Sequence, residues 1–215
     1  LTHRDLAVRS RRFARVLAKR GLGCRKERGE LQPWESGHDH VAVYLYNCPE
    51  YLETMYGSYK ARAASVNINY RYKADELHYL LEDSAARAVV YHAAFAPLLE
   101  EVRPRLPKLE HLFQIADDSG NALLPGAIDY EEALASEPAT MLDLPFTSDD
   151  LYILYTGGTT GIPKGVLWRQ EDVFFNGLGG NLPHFGRIDS EEKFRNHVTM
   201  GIGGRALICL PFMHG

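Results

Sequence analysis

An α/β fold of layered helices and mostly parallel strands is what this sequence predicts, and three observations predict it. Apolar runs of strand length alternate with amphipathic segments of helical length, capping residues stand where several helices should begin, and 215 residues suffice for one substantial core. The hydrophobic share of 45% and charged share of 24% are ordinary for a globular protein.

The elements can be justified in order. Thr2 and Asp5 form an approximate capping box for a first helix that Gly21 can end, and Leu6, Phe13, Val16 and Leu17 give it an apolar stripe. Its many Arg and Lys residues are assigned to the solvated face. Residues 22–40 read as a polar, glycine-containing loop, and 40–46 as a buried strand. Asn47, with Glu50 three residues on, predicts the N-cap of a helix carrying Tyr51, Leu52, Met55, Tyr56 and Tyr59. Strands are predicted near 65–69, 87–91 and 111–115, with helices at 74–84 and 95–102 between them. Pro138 to Pro145 is a connector. The runs at 151–155 and 166–168 flank a glycine-rich loop as a β-hairpin, and Ala206 to Leu210 reads as a further buried strand.

Charge and cysteine usage narrow the function classes. A formal net charge of −4 argues against nucleic acid as the main partner. Cys24, Cys48 and Cys209 are odd in number and form no Cys-x-x-Cys pair, which disfavours a zinc site or disulfide framework and fits a reducing cytoplasmic setting. No apolar run reaches the roughly 18 residues that would span a membrane.

The chemistry concentrates in Thr156-Gly157-Gly158-Thr159-Thr160-Gly161-Ile162-Pro163-Lys164-Gly165. Glycines let bare N–H groups approach an anion, threonines add hydroxyl donors, and Lys164 supplies a mobile positive charge, so the loop suits a nucleotide's phosphates. A Walker A loop needs Ser or Thr after its lysine, and Gly165 stands there instead. A dinucleotide fingerprint must open a helix, which Pro163 and Gly165 would break.

Tyr155 through Val166, YTGGTTGIPKGV, resembles the signature loop of the AMP-forming acyl-adenylate superfamily, Tyr-Thr-Ser-Gly-Thr-Thr-Gly-x-Pro-Lys-Gly-Val, with Gly157 in place of serine. The resemblance continues at Val41 to Tyr51, Gly57 to Asn69, Glu76 to Ser84, and Pro211-Phe212-Met213-His214-Gly215. Together with 167–174, the double-glycine form is similar to bacterial long-chain and steroid-side-chain fatty acyl-CoA synthetases.

That resemblance implies a large N-terminal AMP-binding (adenylation) domain, incomplete over 1–215, with a C-terminal domain outside this stretch. It implies a ligase that joins a carboxylic acid to ATP, releases pyrophosphate and passes the acyl group to coenzyme A, with Mg²⁺ assisting. Thr156, Gly157, Gly158, Thr159, Thr160, Gly161 and Lys164 would bind the nucleotide. Lys164 and His214 would be catalytic, His214 beside the acyl pocket as hydrogen-bond donor or gate. No metal ligand can be named, and Trp168 is expected in the core. A non-catalytic nucleotide-binding module, and an adenylating enzyme with another acyl acceptor, stay open as alternatives. The acyl substrate and oligomeric state are not legible.

Overall fold

The computed structural model describes residues 2–157, 161–182, 186–200 and 211–214, the side chains of Leu182 and His214 excepted. Strands β1 (His40–Tyr44), β2 (Ala64–Asn67), β3 (Ala88–His92), β4 (His111–Ile115), β5 (Ile128–Asp129), β6 (Leu151–Thr156) and β7 (Lys164–Arg169) form one sheet in the order β5-β4-β3-β1-β2-β6-β7. Neighbours are parallel except β6 and β7, which are antiparallel. A small hairpin, β8 (Asn181–Leu182) and β9 (Gly186–Arg187), stands apart from this sheet.

Alternation along each strand feeds two cores. Val41, Val43 and Leu45 face α1 (His3–Lys19), α2 (Pro49–Lys60) and α5 (Tyr130–Ala135), whereas Ala42 and Tyr44 face α3 (Ala74–Asp83) and α4 (Ala96–Val102). This is the three-layer solution for a parallel sheet, and each buried Leu, Val or Phe contributes about 1.5–3 kcal/mol. On the first face α1 lies close against α2 because Gly57 lacks a side chain. A Cβ there would stand 2.7 Å from Phe13 Cδ1, so Gly57→Ala forces the helices apart. The remaining helices, α6 (Gln170–Asn176) and α7 (Glu191–Thr199), bury no residue fully.

The first helix follows its sequence signals closely. Thr2 and Asp5 make a full capping box, and Gly21 at φ +69° ends the helix in a Schellman turn, with Gly21 N–H bonded to Ala18 O and Leu22 N–H to Leu17 O. Its basic face departs from the expectation of plain solvation. Arg9 reaches Glu53 on α2 and Glu131 on α5, and Lys19 pairs with Glu137, so these cations join elements.

Other expectations are also corrected. Helix α2 is capped by Cys48 with no side-chain hydrogen bond and begins on Pro49, whose ring presets φ and whose missing N–H is no loss there. The capping role expected of Asn47 is not taken up, since Cys48 is the N-cap, and Asn47 Oδ1 accepts from Phe212 N–H at 2.8 Å. Trp168 is 43% exposed rather than core. Strand β7 ends the sheet, Leu167 packs on the α3 side, and the two-residue period turns Trp168 to the opposite face. The strand expected at 206–210 lies outside the described residues.

Charges close the amino-terminal edge of the sheet. Asp39, just before β1, pairs with Arg25 and Arg87, and Arg87 also pairs with Glu110. Asp150, just before β6, accepts from Arg62, His38 and Thr147, and Arg62 also binds Glu27 through both terminal nitrogens. Arg62 holds φ at 55°, a left-handed conformation costly for a side-chain-bearing residue and maintained by this network. The opposite, carboxyl edge is left for binding, as in other open α/β sheets.

Candidate functional site

The glycine-rich loop emerges at that carboxyl edge. Strand β6 runs parallel to β2 and delivers Thr156 there, and β7 returns antiparallel with Thr156 opposite Lys164 and Tyr155 opposite Gly165. The hairpin anticipated from the apolar flanks is therefore present, with residues 157–163 as its connection. Gly157 is exposed, and a Cβ built on it meets nothing within 4 Å. Gly161 has φ +108°, a conformation side chains rarely adopt. Gly158, Thr159 and Thr160 lie outside the described residues.

Lys164 is exposed at the mouth of the hairpin and enters none of the ion pairs among the described residues. Arg9, Arg62, Arg87 and Arg169, by contrast, are each committed to carboxylates. An exposed ammonium beside exposed backbone is placed to accept an anion.

Helix α3 braces the hairpin from one side. Tyr79 O–H donates to Pro163 O at 2.9 Å, and Tyr155 O–H donates to Asp83 Oδ2 at 2.6 Å. Burial, reinforced by the Asp83 carboxylate, pushes the Tyr155 phenol well above its ordinary range, so it remains a donor at neutral pH. Between α3 and the loop lies a groove of about 350 Å³ lined by Tyr72, Tyr79, Leu80, Ile162 and Pro163, with Asp75 and Glu76 at its rim. Ile162 itself is 62% exposed.

A second segment meets the same edge. Phe212–His214 forms a 3-10 turn held from both sides: Asn47 Oδ1 accepts from Phe212 N–H at 2.8 Å, and Asn67 Nδ2 donates to Phe212 O at 3.1 Å and to Tyr152 Oη at 2.9 Å. The Tyr51 ring meets Phe212 edge-on at 5.4 Å, and Met213 is buried. Asn67 ends β2 and Asn47 follows β1, so the backbone of His214 is carried to the carboxyl edge that also bears the hairpin. The His214 side chain lies outside the described residues.

Sequence reasoning missed the residues that fix this geometry. Tyr79 and Asp83 lie four apart on α3, Asn67 is the last residue of β2, and Gly165 makes room for the Tyr155 ring. Nothing local marks Tyr79, Asp83 or Asn67, because their partners are 72 to 145 residues away. Among the described residues no group of three or more His, Cys, Asp or Glu is placed to hold a metal ion.

A three-layer, mostly parallel sheet whose carboxyl edge carries a hairpin with exposed glycines and an exposed lysine is an architecture suited to holding an anion. The chain belongs to the AMP-binding enzyme family, whose pattern matches residues 1–215. It is 49% identical over 215 residues to the medium-chain acyl-CoA ligase Mig of Mycobacterium avium, covering 100% of this chain and 39% of that protein. It is 35% identical over 183 residues to a 3-oxocholest-4-en-26-oate–CoA ligase of Rhodococcus rhodochrous, covering 85% of this chain and 30% of the relative. Among solved structures, the anthranilate CoA ligase AuaEII in complex with anthranoyl-AMP superposes with a TM-score of 0.70 at 26% identity, covering 84% of this chain and 32% of the other. The chain thus spans well under half the length of these relatives.

Proposed function

We propose that this chain is the N-terminal, nucleotide-holding part of an AMP-forming acyl-CoA ligase acting on fatty or steroid-side-chain acids. The observation that carries the proposal is the hairpin: within a family of AMP-binding enzymes, it presents exposed Lys164, which enters no ion pair among the described residues, and exposed glycine backbone at the carboxyl edge of the sheet. The acyl class comes from the relatives, one named for medium-chain acids and one for a steroid acid.

In the proposed reaction a carboxylate oxygen forms a bond to the α-phosphorus of ATP while the bond to pyrophosphate breaks. The thiol sulfur of coenzyme A then attacks the acyl carbonyl, loses its proton, and expels AMP. Lys164 and the amides of Thr156, Gly157, Gly158, Thr159, Thr160 and Gly161 would hold the β- and γ-phosphates and stabilise the charge on departing pyrophosphate. His214, carried on the Phe212 turn, would donate to or gate the carboxylate. Mg²⁺ would offset phosphate charge; no step is assigned to it.

The domain reading belongs to the same proposal: residues 1–215 form part of the AMP-binding domain, and the catalytic cycle is completed by a C-terminal domain. A cytosolic setting is proposed from the free thiols of Cys24 and Cys48. Among the described residues no helix is long and apolar enough to cross a membrane. The test is a panel of medium-chain, long-chain, steroid-side-chain and aryl acids assayed for pyrophosphate release by the intact enzyme. The proposal expects release with fatty or steroid acids and AMP as the nucleotide product. Formation of ADP, or release independent of any acid, would contradict it.

A further inference from the structure

We infer that Tyr79 and Asp83 of α3, acting with Tyr155 of β6, are positioning residues that clamp the neck of the hairpin and thereby aim Lys164. The inference rests on the phosphate-holding role proposed for the hairpin. Tyr79 and Asp83 stand four residues apart on one helix, so they share a face and are separated by one turn. Each engages a different limb: Tyr79 O–H reaches Pro163 O, immediately before β7, and Asp83 accepts from Tyr155 O–H on β6. The Pro163 carbonyl belongs to the peptide that joins Lys164, so holding that oxygen fixes the plane from which the lysine departs. Pro163 adds a preset φ.

Gly165 completes the clamp. It lies opposite Tyr155, and a Cβ there would stand 3.0 Å from ring atoms Cε2 and Cζ and 3.2 Å from Oη. With glycine the ring crosses β7 and reaches Asp83; any side chain would push it back by a few tenths of an ångström. The helix is itself a firm support, because Leu77, Leu80 and Leu81 are buried in the core against which Tyr155 and Leu167 pack. Two bonds from one helix face to both limbs resist opening and twisting of the hairpin, the motions that would swing Lys164 off a phosphate.

The test uses acid-dependent ATP–pyrophosphate exchange by the intact enzyme with a fixed fatty acid. Tyr79→Phe should lower kcat about tenfold, the worth of one neutral hydrogen bond, and Asp83→Ala at least as much because its bond is to a charged carboxylate, with KM for the acid and the unfolding midpoint unchanged. Asp83→Asn keeps an acceptor oxygen and should restore most of the rate, whereas Gly165→Ala should behave like Asp83→Ala. In a Lys164→Ala background, Tyr79→Phe should change the rate less than twofold, because its effect runs through the lysine. Wild-type kcat in both Tyr79→Phe and Asp83→Ala, or a full tenfold loss persisting without Lys164, would overturn the positioning role while leaving the phosphate reading intact. Wild-type exchange by Lys164→Ala would instead remove the phosphate reading, and this inference with it.

Discussion

The pair Asp150–Arg62 anchors the base of the strand that leads to the hairpin, and its removal can be scaled from the structure. Asp150 is 3% exposed and accepts from Arg62 Nη2 at 2.8 Å, His38 Nε2 at 3.1 Å and Thr147 Oγ1 at 3.2 Å. Burial pushes its carboxyl up, but hydrogen bonds from His38 and Arg62 outweigh burial and hold it at about 2, below the ordinary 3.8. The folded-state value is depressed, so the contribution is fully present above the unfolded value and is lost as pH falls from about 4 through 2. A displacement of nearly two pH units corresponds to about 2 kcal/mol of stability. Asp150→Ala removes more, because Arg62, 4% exposed, then keeps only Glu27 as a charged partner among the described residues; about 3–5 kcal/mol is expected for breaking such a pair. Urea unfolding of wild type, Asp150→Asn and Asp150→Ala at pH 6 and pH 2 measures both effects. The gap between wild type and Asp150→Asn should narrow by about 2 kcal/mol at the lower pH. A gap independent of pH, or an Asp150→Ala variant within 1 kcal/mol of wild type, would refute the reasoning.

Three further outcomes are expected. Gly157→Ser, the residue of the usual superfamily loop, meets open space and no left-handed φ, so it should preserve ATP binding and tighten it by up to one hydrogen bond, about 0.5–1.5 kcal/mol in an ATP titration. Gly161→Ala at φ +108° is strained, and the same titration should show weaker binding. Asn67→Ala removes the donor to Phe212 O and leaves the Tyr152 hydroxyl without that contact, so it should raise KM for the carboxylic acid more than KM for ATP; equal changes would contradict the role of the Phe212 turn.

Much of the architecture was legible because its signals are local. The apolar runs at 40–44, 88–92 and 111–115 have the length and alternation of strands, Gly21 supplies the positive φ of a Schellman turn, and the hairpin follows from two apolar limbs around a glycine-rich loop. Helices α5 and α6 were not read from the sequence, although α4, also seven residues long, was; α7 is almost wholly exposed and lacks an apolar stripe that marks a buried face. Asn47 shows why local signals also mislead: its spacing from Glu50 fits a capping box, yet Pro49 starts the helix without it and the side chain bonds a residue 165 positions away. For the site, the composition of the loop pointed to Lys164, whereas Tyr79, Asp83 and Asn67 owe their roles to contacts that only the fold creates.

Acid-dependent ATP–pyrophosphate exchange in the absence of coenzyme A measures adenylation of the carboxylic acid alone, the step proposed to need Lys164. Exchange should require both a carboxylic acid and ATP, and should fall by about two to three orders of magnitude in Lys164→Ala with the unfolding midpoint unchanged. Exchange without any acid, or at the wild-type rate in Lys164→Ala, would contradict this expectation.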